Sequence, residues 1–129
     1  MHNERTPEGL HAALRNVLQA LKACSRKRYT FPGSEADHHT QWRAQYDRER
    51  VEAGDYAAVT IGPLVWPIAD AANLTKAQAR RYLLELERLG LAMRQAPSDR
   101  GTAHRWWPTG FSDELQQERH EARAKEAEQ

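Results

Sequence analysis

The segment that most restricts this fold is Thr75-Lys76-Ala77-Gln78 through to Gly90, because it carries its own start and stop signals. The Thr75 hydroxyl suits the free N–H groups of a first helical turn, and Gln78 stands three residues later as in a capping box. Ala79, Leu83 and Leu86 recur at helical spacing, which predicts a helix over 76–89 with an apolar inner face. Gly90 supplies the stop.

The flanks of this helix follow a definite order. Ala57–Ile61 is short and β-compatible, and Gly62-Pro63 punctuates it. From Pro63 the pattern turns helical, with Leu64, Val65, Ile68, Ala69 and Ala72 on one side and Pro67 in the first turn or two. Asn73-Leu74-Thr75 breaks that helix before the next begins. Leu91–Ala96 and Ala103–Trp107 then read as strands joined by a turn over 97–102, and Pro108 ends the second. Strand, helix, tight turn, helix and β-hairpin make the recipe for a winged helix-turn-helix. The first helix braces the second, which offers a polar face to the major groove while its apolar face holds the core.

Outside this unit, residues 7–23 predict an amphipathic helix capped by Thr6, with Leu10, Ala13, Leu14, Val17, Leu18 and Leu21 as its stripe. The cluster Arg26-Lys27-Arg28 follows near its C-terminal end, where cations complement the helix dipole. Residues 30–36 read as a loop. Asp37 to about Ala53 reads as a polar, acidic helix with Trp42, Tyr46 and Val51 as a sparse apolar face. Ser112, followed by Asp113 and Glu114, starts a last helix whose distal part is almost wholly polar. The expected fold is mainly α with a small β-hairpin, a winged helix-turn-helix with flanking N- and C-terminal helices. Its expected divisions are 1–56, 57–111 and 112–129.

At this point the residues resemble a known group. Ile68-Ala69, Leu74-Thr75, Leu83, Leu86 and Gly90-Leu91 stand at the offsets of the helix-turn-helix in MarR- and ArsR-like bacterial or phage regulators. Thr109-Gly110 resembles the way such wings hand over to a closing helix. The likeness covers the unit from about Val59 to Thr109. The segment 24–56 is an addition to a minimal winged helix, and Pro63 and Pro67 are unusual in a bracing helix.

Charge divides along the chain in a way the net +1 conceals. Residues 1–30 hold six Lys or Arg against two acids; residues 31–75 hold three against seven. Residues 76–105 hold seven against three, and residues 106–129 three against six. The basic block of net +4 therefore coincides with the second helix and the hairpin. Lys76, Gln78, Arg80 and Arg81 face away from Ala79 and Leu83, and with Thr75 they form the expected DNA-contacting set on that helix. Solvated helix faces also carry such charges; their concentration here favours DNA. On the hairpin, Arg94, Arg100 and Arg105 complete the set, with Arg100 at a Gly-containing tip. Edge strands use charge against aggregation too, so Arg100 is the strongest of these three and His104 is left open. Trp106-Trp107 suggests stacking on nucleic acid, but burial of one ring in the core with the other on the surface is the favoured reading.

Other chemistry finds little support. His38, His39, His104, His120 and Cys24 lack the spacing of a zinc site. No nucleophile elbow, phosphate loop or paired-carboxylate arrangement is visible, so neither an enzyme nor a cofactor is expected. Mean hydropathy of −0.88 and the absence of a long apolar run exclude a membrane partner as an expectation. The opening Met1–Pro7 has no apolar stretch of a secretory signal, and one cysteine cannot form an internal disulfide. A cytoplasmic setting is expected, with Cys24 as a half-buried packing residue.

Two functional readings follow. The first is a sequence-specific regulator of transcription that grips double-stranded DNA, as a homodimer whose candidate surfaces are the 10–21 stripe and the C-terminal helix. The second is a winged-helix protein–protein interaction module, a phage or plasmid adaptor or inhibitor of a host factor. Its partner would dock on the acidic 31–75 segment.

Overall fold

The computed structural model describes residues 12–30, 38–56, 62–95 and 104–128. They form α1 (Ala12–Thr30), α2 (His38–Glu52), α3 (Val65–Ala72), α4 (Lys76–Arg88), β1 (Ala92–Gln95), β2 (Arg105–Pro108) and α5 (Phe111–Ala127). The described chain is mostly helical, with one antiparallel hairpin, and is a winged helix-turn-helix with helices on both flanks. The 57–61 stretch, the expected start of the first helix at 7–11 and the 97–102 turn lie outside the described residues.

The α3–α4 corner is built by local hydrogen bonds. Asn73 takes the left-handed conformation at φ 59°, where a short amide side chain is tolerated better than most. Its N–H donates to Asp70 O at 3.1 Å and the Leu74 N–H to Ala69 O at 2.9 Å, closing the last carbonyls of α3. One residue later the capping box is complete: Gln78 N–H donates to Thr75 Oγ1 at 3.1 Å, and Thr75 N–H to Gln78 Oε1 at 3.0 Å. Such a cap contributes about 1 kcal/mol. At the far end Gly90 adopts φ +80°, and Leu91 N–H reaches Leu86 O at 2.8 Å. The expected start and stop of α4 are both observed.

Two cores lie on opposite faces of β2. The first gathers Leu14, Val17 and Leu21 of α1, Ile68 of α3, and Leu83 and Leu86 of α4 around Trp106. The second gathers Val51 of α2 with Phe111 and Leu115 of α5 around Trp107, with Tyr29 and Tyr56 packed alongside. Both indoles are fully buried, which corrects the expectation of one ring inside and one outside. Alternation along the strand does send them to opposite faces, but α2 and α5 cover the second face. The register pairs Met93 with Trp107 and Arg94 with Trp106. The Trp106 N–H also donates to Pro63 O at 3.0 Å, so the hairpin is tied to the chain entering α3. Gly62 lies flat on the Trp107 indole: a Cβ there would sit 2.8 Å from ring atoms.

The flanking helices differ from expectation in three ways. First, α1 continues to Thr30, so Arg26-Lys27-Arg28 sits within its last turns rather than beyond it. Burial of Ser25 and an edge-on contact of Tyr29 with Phe111 at 6.0 Å keep that extension helical. Leu14, Val17 and Leu21 of the stripe are buried in the first core, and Phe111 and Leu115 of α5 in the second. Second, Trp42 and Tyr46 of α2 do not share a face with Val51. They are 65% and 41% exposed and stack on each other at 5.8 Å, while Val51 is buried. Nine residues separate Trp42 from Val51, which at about 100° per residue puts them on opposite sides of a helix. Third, α5 begins at Phe111 behind Gly110, not at Ser112.

A polar clamp closes the second core. Glu52 accepts from Tyr29 Oη, and Arg119 Nη2 lies 2.6 Å from its carboxylate, joining α1, α2 and α5. Burial alone would raise the Glu52 pKa, but the hydrogen bonds from Tyr29 and Arg119 outweigh it and hold the carboxyl below its ordinary value.

Candidate nucleic-acid interface

α4 is amphipathic along its whole length. Ala79, Leu83 and Leu86 are fully buried against α1 and α3, while Lys76, Ala77, Gln78, Arg80 and Arg81 are exposed. The outermost line is Ala77, Arg81, Leu84 and Arg88, all exposed and opposite the buried line. The pattern follows from helical spacing, and the core on the inner face fixes how the outer face points.

The two halves of α4 differ electrostatically. In the second half Glu85 accepts from Arg88 Nε at 3.0 Å and from its Nη2, and Glu87 stands 3.4 Å from Arg94 Nε. Those two arginines are thus partly neutralised. In the first half, among the described residues, Lys76 and Arg80 make no ion pair, and Arg81 lies 5.7 Å over the Tyr82 ring. These cations share the N-terminal turns with the positive end of the helix dipole, so field is concentrated there.

Thr75 and Gln78 are held by each other. The Gln78 carbonyl oxygen is occupied by the cap, which leaves its amide N–H groups facing outward; Gln78 can donate to a partner but not read a base with both ends. The Thr75 hydroxyl accepts from the helix and keeps its own proton to donate outward.

The hairpin cations fall into different surroundings. Arg94 is exposed on β1 next to α4 and lies 5.8 Å over the Trp106 ring. Arg105 turns inward: its Nη1 donates to Gly62 O at 2.6 Å, and burial, with the nearby Arg28 charge, lowers its pKa against the opposing pull of Asp47. Arg105 shares the Trp107 side of β2, and the cover over that side draws it away from α4. His104 contacts Gln95 O at 3.1 Å across the strand ends. Arg100 lies outside the described residues. The structure therefore sets Thr75, Lys76, Gln78, Arg80 and Arg81 together on the exposed first half of α4, puts Arg94 beside Glu87 in the second half, and places Arg105 elsewhere. Ala77, Leu84 and Arg88 join this surface without being among the expected residues, although their spacing from Arg81 marks the same outward line.

Residues 65–108 match the family model described as FaeA-like protein. The matched stretch runs from the first residue of α3 to the last of β2. FaeA-like proteins are winged-helix regulators, so the match supports a DNA-binding helix-turn-helix here. The likeness to MarR- and ArsR-like proteins holds at the level of the winged helix, and the matching family is FaeA-like. No curated protein and no solved structure matches the chain. Among the described residues, no helix is long and apolar enough to cross a membrane.

Proposed function

We propose that this chain is a sequence-specific, double-stranded-DNA-binding regulator of transcription in the cytoplasm, working as a homodimer. The observation that carries the reading is the unneutralised N-terminal half of α4, with Lys76, Arg80 and Arg81 on an exposed face at the positive end of a rigidly held helix. Recognition helices of this kind enter the major groove with their N-terminal residues on base edges. Arg80 and Arg81 supply phosphate or guanine contacts, Ala77 and Leu84 offer apolar contact for thymine methyl groups, and Arg94 and Arg100 extend the grip to the wing. With the α1 stripe internal, the dimer forms through another surface.

The test is duplex binding by fluorescence anisotropy, with an operator selected from random sequence and a scrambled duplex. Arg80→Ala with Arg81→Ala should leave the fold intact and weaken operator binding. The salt slope should become shallower by about 0.9 for each phosphate that is no longer neutralised. Equal and weak binding of the parent protein to both duplexes refutes the regulator. A protein-interaction role is favoured by one observation, the exposed Trp42–Tyr46 stack on α2. Under it the α4 variants change nothing, and Trp42→Ala abolishes capture of a partner.

A further inference from the structure

A groove of about 740 Å³ opens between the C-terminal half of α1, the start of α3 and the root of β2. That volume lies within the roughly 300–1,000 Å³ typical of small-molecule sites. Its chemistry is divided. Pro63, Leu64, Pro67 and Ala71 supply an apolar floor, and Trp66 stands at the edge with 56% of its surface exposed. Lys27, Arg28 and Arg105 supply three cations, against Asp70 on the rim. Asp47, fully buried, attracts the Arg105 charge and offsets part of it.

One residue in each half of this lining is left unexplained by folding, since Arg28 has contacts of its own and Arg105 is tied to Gly62 O. Trp66 is a large aromatic on the short bracing helix, yet it contributes to neither core. Lys27 is exposed on a helix whose neighbouring cation, Arg26, already has Glu118 as its partner at 2.6 Å. We propose that this groove binds a small planar aromatic anion, its ring against Trp66 and the proline floor and its acidic group toward Lys27, Arg28 and Arg105. An indole face and an apolar floor select a flat apolar body. Guanidinium and ammonium groups at one end select a carboxylate, sulfonate or phosphate. The site uses none of the α4 cations, so it stands or falls separately from DNA binding.

The probe is 1-anilinonaphthalene-8-sulfonate, with N-phenyl-1-naphthylamine as the same ring system lacking the charge. Both are titrated into the folded full chain, with near-UV circular dichroism confirming native packing for every variant. The expected result is one saturable sulfonate site, with the neutral analogue binding more weakly. Trp66→Ala should weaken the sulfonate by at least about tenfold, because the aromatic wall is removed. Trp66→Tyr should restore much of that loss. Lys27→Gln should weaken the sulfonate a few-fold and leave the neutral analogue unchanged. Trp42→Ala removes the other exposed indole and should change neither. The proposal is overturned by non-saturable binding, by equal affinity for both probes, or by a loss that follows Trp42 rather than Trp66.

Discussion

The two cores beside β2 are built from different materials. The Trp106 side is aliphatic, with Leu, Ile and Val from α1, α3 and α4 around one indole. The Trp107 side is aromatic, with Phe111 at 5.3 Å and Tyr56 at 5.0 Å from the indole and the Tyr29–Glu52–Arg119 clamp at its rim. Leucine stripes at helical spacing interlock along a whole helix and so fix the direction of α4. Rings with polar ends instead join separate segments while keeping a hydrogen bond at the surface. The aliphatic core therefore sets where the cationic face of α4 points, and the aromatic core attaches α2 and α5 to the winged helix.

The sharpest test of this division is a pair of truncations. Trp106→Ala and Trp107→Ala should each destabilise by about 3–5 kcal/mol in thermal or denaturant melts. Native-state hydrogen exchange should separate them. Loss of Trp106 should deprotect α4, whereas loss of Trp107 should deprotect α2 and the start of α5 first. Identical exchange patterns would mean the two cores are one cooperative unit. Next in size, Leu83→Ala should cost roughly 2–5 kcal/mol and loosen α4 directly. A negligible change in the melt would show that the inner face is misassigned, and with it the outward face offered to DNA.

A smaller effect is expected where the second core touches backbone. Gly62→Ala places a Cβ 2.8 Å from the Trp107 ring, so the indole must shift, at about 1–3 kcal/mol for such overpacking. Near-UV circular dichroism should report the displaced ring, and an unchanged spectrum and melt would remove Gly62 from the packing argument. The smallest effect is electrostatic. The Glu52 pKa is depressed in the folded protein, so its contribution to stability is present above its ordinary value of 4.5 and is lost as pH falls through the folded-state value. Glu52→Gln should therefore lower stability modestly at neutral pH and flatten its decline below about pH 4.5. Parallel pH profiles for parent and variant would dismiss the clamp as a stabilising device.

What could be read from the sequence was what is decided locally. Thr75, Gln78 and Gly90 act on groups within four residues of themselves, and Ala79, Leu83 and Leu86 report one helix's own periodicity. The placement of Trp107, Arg105 and the end of α1 was not legible in the same way, because each depends on segments distant in sequence. Alternation in β2 assigns Trp106 and Trp107 to opposite faces, but nothing nearby says that α2 and α5 will cover the second. Once that face is covered, Arg105 shares it and its Nη1 donates to Gly62 O. The error over Trp42 and Val51 is different in kind, since helical phase alone separates them. On the candidate site, local spacing identified the cations of α4, while their freedom from ion pairs depends on where Glu85 and Glu87 point.

A strand buried on one side is kept in step by solvent, since a slip of one residue would turn its oily side chains toward water. β2 is covered on both sides, and that safeguard does not apply to it: either indole would find a greasy neighbourhood after a slip. What remains to hold the hairpin in step is shape. The bare backbone of Gly62 accepts one flat ring at one height, and the Pro63 carbonyl, one residue on, accepts the backbone N–H of Trp106. A two-residue stretch of chain just ahead of the bracing helix thus acts as the gauge against which the wing is aligned.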